Sequence, residues 1–365
     1  MKWRCQPLGM VIFLLVGTVL GVALNGCRSQ GPAILDPKFA GCELWRVWPS
    51  PEDRYLAFLI REWNQEGTRA KCRIGRLGLQ GRPQVKVAGP VDDWPPPSVA
   101  VAADGRLFVW GESRHLRVFV RPGGQEETAV KCPYPDADYV DYWIDRGGTR
   151  VLAAFGWRAG PNLHTVEARL YDLKTGGHRV LGKGDFGVLG FAGEAQDAAL
   201  LVRHPSGHLV FSSQPLAGGE ERQLAVVHLP GEEPPPVMGC ASPQAAILWV
   251  GKPRKPRLVP LAKQAEAPVE IEVTETLGQN VSPDARKYAF CDGKSPTLLV
   301  ADDLWGNRTI KEWQFSPDAV PCYLAWSTES KTVYALTAGS PQRIYAVDVV
   351  SGAVSLLMEQ GRPKR

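Results

Sequence analysis

Short apolar runs, each introduced by a turn rich in proline, glycine or acidic residues, recur along almost the whole chain. Seven such phrases stand in order: PSPEDRYLAFLI from Pro49, VAADGRLFVWG from Val101, IDRGGTRVLAAFG from Ile144, AGEAQDAALLVRH from Ala192, ASPQAAILWVG from Ala241, VSPDARKYAFCDG from Val281 and WSTESKTVYALTAG from Trp326. With Pro51, Ala103, Arg146, Glu194, Pro243, Pro283 and Thr328 taken as equivalent, the intervals run from 40 to 52 residues and average about 46. Self-similarity at that period is the mark of an array of small sheets.

Each phrase has a local reason. Proline fixes its own φ, and Asp, Glu, Ser or Gly supply side-chain caps or a positive φ, so a tight connection forms between two strands. The runs that follow, such as Tyr55-Leu56-Ala57-Phe58-Leu59, are nearly continuous rather than alternating. A strand of that kind is buried on both faces, as when sheets stack on neighbouring sheets. Later in the repeat, Arg169 to Leu181 and Arg343 to Leu357 place alternating apolar residues on both sides of a Thr-Gly or Ser-Gly turn, which predicts an outer hairpin. Looser versions begin at Leu116 and Leu298. Ser316-Pro317-Asp318-Ala319 repeats the tetrad of 282–285 but breaks the period and reads as a loop, with Pro321 interrupting any strand after it. No long amphipathic helix is expected in a chain with 31 prolines and 38 glycines.

The Ser-Pro-Asp opening, the short apolar strand and the late phrase IYAVDVVSG from Ile344 resemble the WD-like propeller repeats of bacterial envelope proteins, including the propeller of the Tol system's periplasmic protein. The resemblance spans most of residues 43–358, with proline in register at Pro51, Pro243 and Pro283, and the unit at Ala192 fits least well. It implies an all-β β-propeller of seven four-stranded blades, with six or eight as the neighbouring counts.

Composition adds an address. The segment to Cys27 has Lys2 and Arg4, an apolar run from Met10 to Leu24 and then small residues, the layout of an export signal. Leu24-Asn25-Gly26-Cys27 resembles the lipobox of bacterial lipoproteins, which implies cleavage after Gly26 and a lipid on the Cys27 sulfur. The expected organisation is therefore a signal peptide over 1–26, lipidated Cys27 with a flexible tether over 27–41, and one propeller over 42–365. The expected location is the bacterial cell envelope, with the membrane as a partner through the anchor. Arg28 favours the periplasmic face of an outer membrane by resemblance to enterobacterial sorting. Without Lys2 and Arg4 the balance is 40 basic against 38 acidic residues, which argues against nucleic acid as a partner.

Candidate chemistry is thin. Gly177 to Gly184 nearly spells a phosphate loop but lacks the final Ser or Thr and sits in a hairpin. Asp136, Asp138, Asp141 and Asp145 could serve calcium, although no complete calcium loop is written, and solvated turn carboxylates explain them as well. His204 and His208 have zinc-protease spacing, but Pro205 and Gly207 make the stretch a turn. A Gly-x-Ser-x-Gly elbow is absent. Trp48, Trp143 and Trp326 lie just ahead of blade openings, a placement that suits packing between blades first and ring stacking on a sugar second. Cys42, Cys72, Cys132, Cys240, Cys291 and Cys322 read as buried small apolar side chains with at most one or two bridges. No catalytic, metal or cofactor residue is assigned. The expected function is a protein- or envelope-polymer-binding scaffold; the alternatives are a propeller enzyme, such as a lactonase or a polysaccharide-cleaving one, acting at the channel mouth, and a sugar- or calcium-dependent binding module.

Overall fold

The structure, a computed structural model, describes residues 31–361 except 68–69, 82, 92–97, 112–113, 121–125, 159–163, 194–195, 205–207, 229–236, 243, 251–254, 262–268, 271–279 and 306–307. Cys27 and Gly26 fall outside the described residues, as does the side chain of Cys240.

Strand β1 (Ala33–Leu35) comes first. Six antiparallel sheets of four follow in chain order. They are β2–β5 (Glu43–Pro49, Tyr55–Trp63, Ala70–Gly78, Val85–Val91), β6–β9 (Ser98–Val101, Leu107–Trp110, Leu116–Phe119, Glu126–Val130) and β10–β13 (Tyr139–Ile144, Arg150–Arg158, His164–Asp172, His178–Gly184). Next come β14–β17 (Gly187–Ala192, Ala198–Arg203, His208–Pro215, Arg222–His228), β18–β21 (Val237–Ser242, Ala245–Val250, Lys255–Pro260, Val269–Glu270) and β22–β25 (Asn280–Val281, Tyr288–Phe290, Thr297–Asp302, Thr309–Gln314). The last sheet is β26–β29 (Pro321–Trp326, Thr332–Thr337, Arg343–Asp348, Val354–Gln360), and β1 adds to its edge, parallel to β29.

The first strand of each sheet lies beside the next sheet, and β2 meets β26, so the seven sheets close into a ring. The chain from Ala33 onward is a seven-bladed β-propeller, as the repeat count predicts.

The core is divided accordingly, one apolar layer between each pair of blades. On β3, Leu56, Phe58 and Ile60 face the last blade and pack with Tyr334, Leu336 and Ile344. Ala57 and Leu59 face the other way, onto Val99, Val101 and Leu107. On β11, Val151, Ala153 and Phe155 join the layer with Phe108, whereas Leu152 and Ala154 join that with Leu201. Side chains alternate across a strand, so a run buried on both sides must be apolar at every position. Cys72, Cys132, Cys291 and Cys322 are buried and, with Cys42, all free thiols, which matches small core residues.

The seven phrases mark the turn between the first and second strands of each blade. Their register is visible at six of them: the residue three beyond Ser50, Ala102, Asp145, Gly193, Ser282 and Ser327 donates its N–H back to that residue's carbonyl. These donors, Asp53, Gly105, Gly148, Gln196, Ala285 and Ser330, all have positive φ. Ser50 Oγ, Ser282 Oγ and Ser327 Oγ also accept the N–H five residues on, from Tyr55, Lys287 and Thr332, and Asp145 does the same for Arg150. The buried hydroxyl thus replaces a missing ladder partner at the start of the second strand.

Neighbouring blades are tied together at these turns. Arg76 donates to the Gly105 carbonyl, Arg106 to that of Gly148, Arg150 to that of Gln196, and the Asp284 N–H to Ser330 Oγ.

Two expectations change. Residues 33–41, assigned to a tether, belong to the propeller: Leu35 and Phe39 are buried in the layer between the last and first blades, and a 3-10 turn, Pro37–Phe39, follows β1. Pro321 opens β26 rather than interrupting a strand, because the first residue of a strand can lack an N–H. The Ser316–Ala319 turn is, as read, the connection between β25 and β26.

Candidate axial binding site

Alternation on β10 decides what the channel wall offers. Val140, Tyr142 and Ile144 turn into the layer shared with the second blade, and Asp141 and Trp143 turn the opposite way. Trp143 lies against β14 where a bulge between Val188 and Gly190 bends the strand. A Cβ on Gly190, at φ 138°, would sit 3.1 Å from the indole Cδ1, so the absent side chain is what lets the ring lie on the backbone.

Trp110 ends β7 on the same wall. Tyr142 braces it edge-on, with ring centroids 6.1 Å apart and planes at 81°. Tyr142 is fixed in turn by its hydroxyl, which donates to the Arg114 carbonyl at 2.7 Å. Burial pushes the Tyr142 phenol well above its ordinary pKa, so it stays neutral.

A cavity of about 700 Å³ opens along this wall, lined by Trp48 from β2, Trp110 from β7, Asp141 and Trp143 from β10, Phe191 from β14 and Gln196 from the next turn. Four adjacent blades contribute to it. Asp141 is solvent-accessible but flanked closely by protein, as befits a group on a channel wall. Burial raises its carboxyl pKa, opposed by the Trp110 indole N–H. Trp110 Nε1 is itself buried and has no hydrogen-bond partner of good geometry. Below, Gln196 Oε1 accepts the Arg146 N–H at 2.8 Å.

The sequence candidates scatter. Of the acidic group, only Asp141 reaches the cavity; Asp145 accepts from Thr149 and Arg150, and Asp138 from the Arg158 N–H. Hydrogen bonds from Arg150 and Thr149 outweigh burial and hold Asp145 below its ordinary pKa. His208 stands across from His228 on β17, rings 5.0 Å apart, rather than working with His204. Gly177 to Gly184 form the outer turn and β13. Trp326 is buried between the last two blades, while Trp48 and Trp143 line the cavity. Trp110 had no signal in the turn spacing, because it closes a second strand. Among the described residues no three His, Cys, Asp or Glu side chains form a group able to hold a metal.

A second cavity, about 690 Å³, is lined by Arg114, His115, Lys131, Cys132 and two prolines. Two of its polar groups are engaged in the loop itself: Arg114 donates to the carbonyls of Pro135 and Ala137, and His115 Nδ1 accepts the Cys132 N–H.

No protein-family model matches the sequence, and no curated protein does. Among solved structures, the chain is similar to an oligogalacturonate lyase in complex with manganese, at 12% identity over 84% of this chain and 90% of that one, TM-score 0.56. An oligogalacturonate lyase of Vibrio parahaemolyticus gives 11% identity, 86% and 98% coverage and a TM-score of 0.53. An acylaminoacyl peptidase of Pyrococcus horikoshii gives 12% identity and a TM-score of 0.54; the match takes in 87% of this chain and about half, 52%, of the peptidase. At such identities the likeness is one of fold, and these comparisons support the β-propeller.

Proposed function

We propose that the chain is an envelope-anchored binding propeller that takes a saccharide segment of an envelope polymer into its axial channel. The observation that carries this reading is the meeting of Trp48, Trp110 and Trp143, from three adjacent blades, on one cavity of about 700 Å³. Indoles present flat apolar faces with a single donor each, which suits the C–H face of a pyranose ring. The cavity is of ordinary ligand-site size. That the similar solved structures include enzymes named for an oligosaccharide substrate is in keeping with it.

The anchor belongs to the same proposal. Lipid on Cys27 would tie the chain to the bilayer ahead of β1.

The test is calorimetry of the soluble propeller against neutral oligosaccharides of increasing length and against a lysine-rich peptide. Saccharide binding that Trp143→Ala weakens at least tenfold supports the reading. Tighter binding of the peptide than of every saccharide overturns it in favour of a protein tail. Loss of fatty-acid labelling in Cys27→Ala, in cells, tests the anchor separately.

A propeller enzyme is the second reading, favoured by the raised pKa of Asp141, a carboxyl in a cleft. Cleavage needs a partner acid, base or electrophile, and none lines the cavity among the described residues. Chromatography of the bound saccharide after long incubation separates the readings.

A further inference from the structure

Taking the saccharide reading as its premise, we infer that the channel selects by charge: it prefers a saccharide carrying a protonated amine to a neutral one and disfavours an acidic one, with Asp141 as the selecting residue. The wall explains why. Asp141 is the one ionised side chain lining the cavity among the described residues, and the surfaces around it are indoles and aliphatic groups. The other titratable group there, Tyr142, is held neutral by burial and spends its hydroxyl on the Arg114 carbonyl.

Charge on a solvent-accessible group flanked by such walls is screened less than it would be in open water. Low-dielectric walls strengthen the attraction of a carboxylate for a cation, and they equally strengthen its repulsion of a second carboxylate. Indole faces add to the same preference, since their negative quadrupole attracts an ammonium group and repels an anion. Charge and aromatic lining thus act in one direction. Among the described residues no cation lines the cavity: Arg46, exposed on β2, stacks over Trp45 at 4.3 Å and is not one of its lining residues.

Asp141 is also free to act. Asp145 nearby is engaged by Thr149 and Arg150, whereas among the described residues no side-chain cation pairs with Asp141.

The experiment compares three ladders of equal length on the intact propeller at mildly acidic pH, where amino-sugar amines are protonated: glucosamine oligomers, their N-acetylated forms and oligouronides. Affinity falling in that order, with about tenfold between amine and neutral forms, supports the inference. Asp141→Asn should bring the amine and neutral ladders within about twofold of one another while neutral binding persists. Equal affinity for all three ladders in the unaltered protein, or an amine preference that survives Asp141→Asn, overturns the charge selection and leaves saccharide binding standing. No binding by any ladder overturns both.

Discussion

Asp53 carries two burdens at one position. It is the left-handed residue of the first blade's opening turn, at φ 49°, directly after Glu52 at φ 66°. Its carboxyl faces the last blade, where Tyr334 and the Thr328 N–H bond to it, yet Oδ1 is buried with no partner. Burial is the main cause that raises its pKa to about 6. A carboxyl whose folded pKa lies above its unfolded one contributes stability that is complete below about pH 4 and is lost as pH rises through about 6. Two units would convert to about 3 kcal/mol, but the side chain is partly exposed, and solvent screening reduces this to about 1–2 kcal/mol. Asp53→Asn should therefore be more stable than the parent at pH 7.5 by about that amount. Asparagine accepts the left-handed backbone, so any conformational benefit would show at both pH values. Urea melts at pH 4 and pH 7.5 isolate the ionisation part; an equal difference at both pH values would refute it.

At the scale of the element, the opening turns were legible because their chemistry is local. Ser, then Pro or a polar residue, then an acid, then a residue that accepts positive φ dictates a turn wherever it stands, and the chosen register holds at each opening that is described. The repeated anchor after the third strand went unread: Leu79, Leu173, Leu216, Leu261, Leu304 and Val349 each donate their N–H to a carbonyl of the opening turn, but a single apolar residue has no local signature. Trp110 and Asp141 share a wall only through the packing of separate blades, and nothing within either phrase announces that. Gln342 shows the same limit, looking in sequence like any polar loop residue. In the fold it is buried beside β28, accepts the Leu44 N–H at 2.5 Å and donates to the Leu44 carbonyl at 3.1 Å, mimicking a strand across the seam. Gln342→Ala strands a buried N–H and a buried carbonyl, each costing about 1–3 kcal/mol when left unpaired. The expected loss is about 2–4 kcal/mol in urea unfolding, and a loss below 0.5 kcal/mol would show the seam to be wet.

For the whole molecule, the decisive step is closing the ring, because a repeat array otherwise ends in an open apolar face. Here the seam between β2 and β26 is reinforced by residues ahead of the first repeat. β1 pairs with β29 through Ala33 with Met358 and Leu35 with Gln360. Gln360 Nε2 donates to the carbonyls of Phe39 and Cys42, both at 2.7 Å, and the Gly361 N–H reaches the Leu35 carbonyl. Leu35 is wholly buried and Phe39 nearly so. Each such side chain contributes about 1.5–3 kcal/mol of burial, so with the lost hydrogen bonds the strap accounts for about 4–6 kcal/mol. That is a large share of the 5–15 kcal/mol typical of a domain. A chain beginning at Glu43 should therefore unfold at a markedly lower urea concentration than one beginning at Gly31. Its bared β29 edge should also drive association at micromolar concentration, visible as early elution from a sizing column. Leu35→Ala in the longer chain separates the two effects: it keeps the edge covered while emptying the pocket, and should lower stability by about 2–4 kcal/mol without association. Should the shortened chain stay monomeric with an unchanged midpoint, the seam between the first and last blades would have to be self-sufficient, and the strap merely an ornament on its edge.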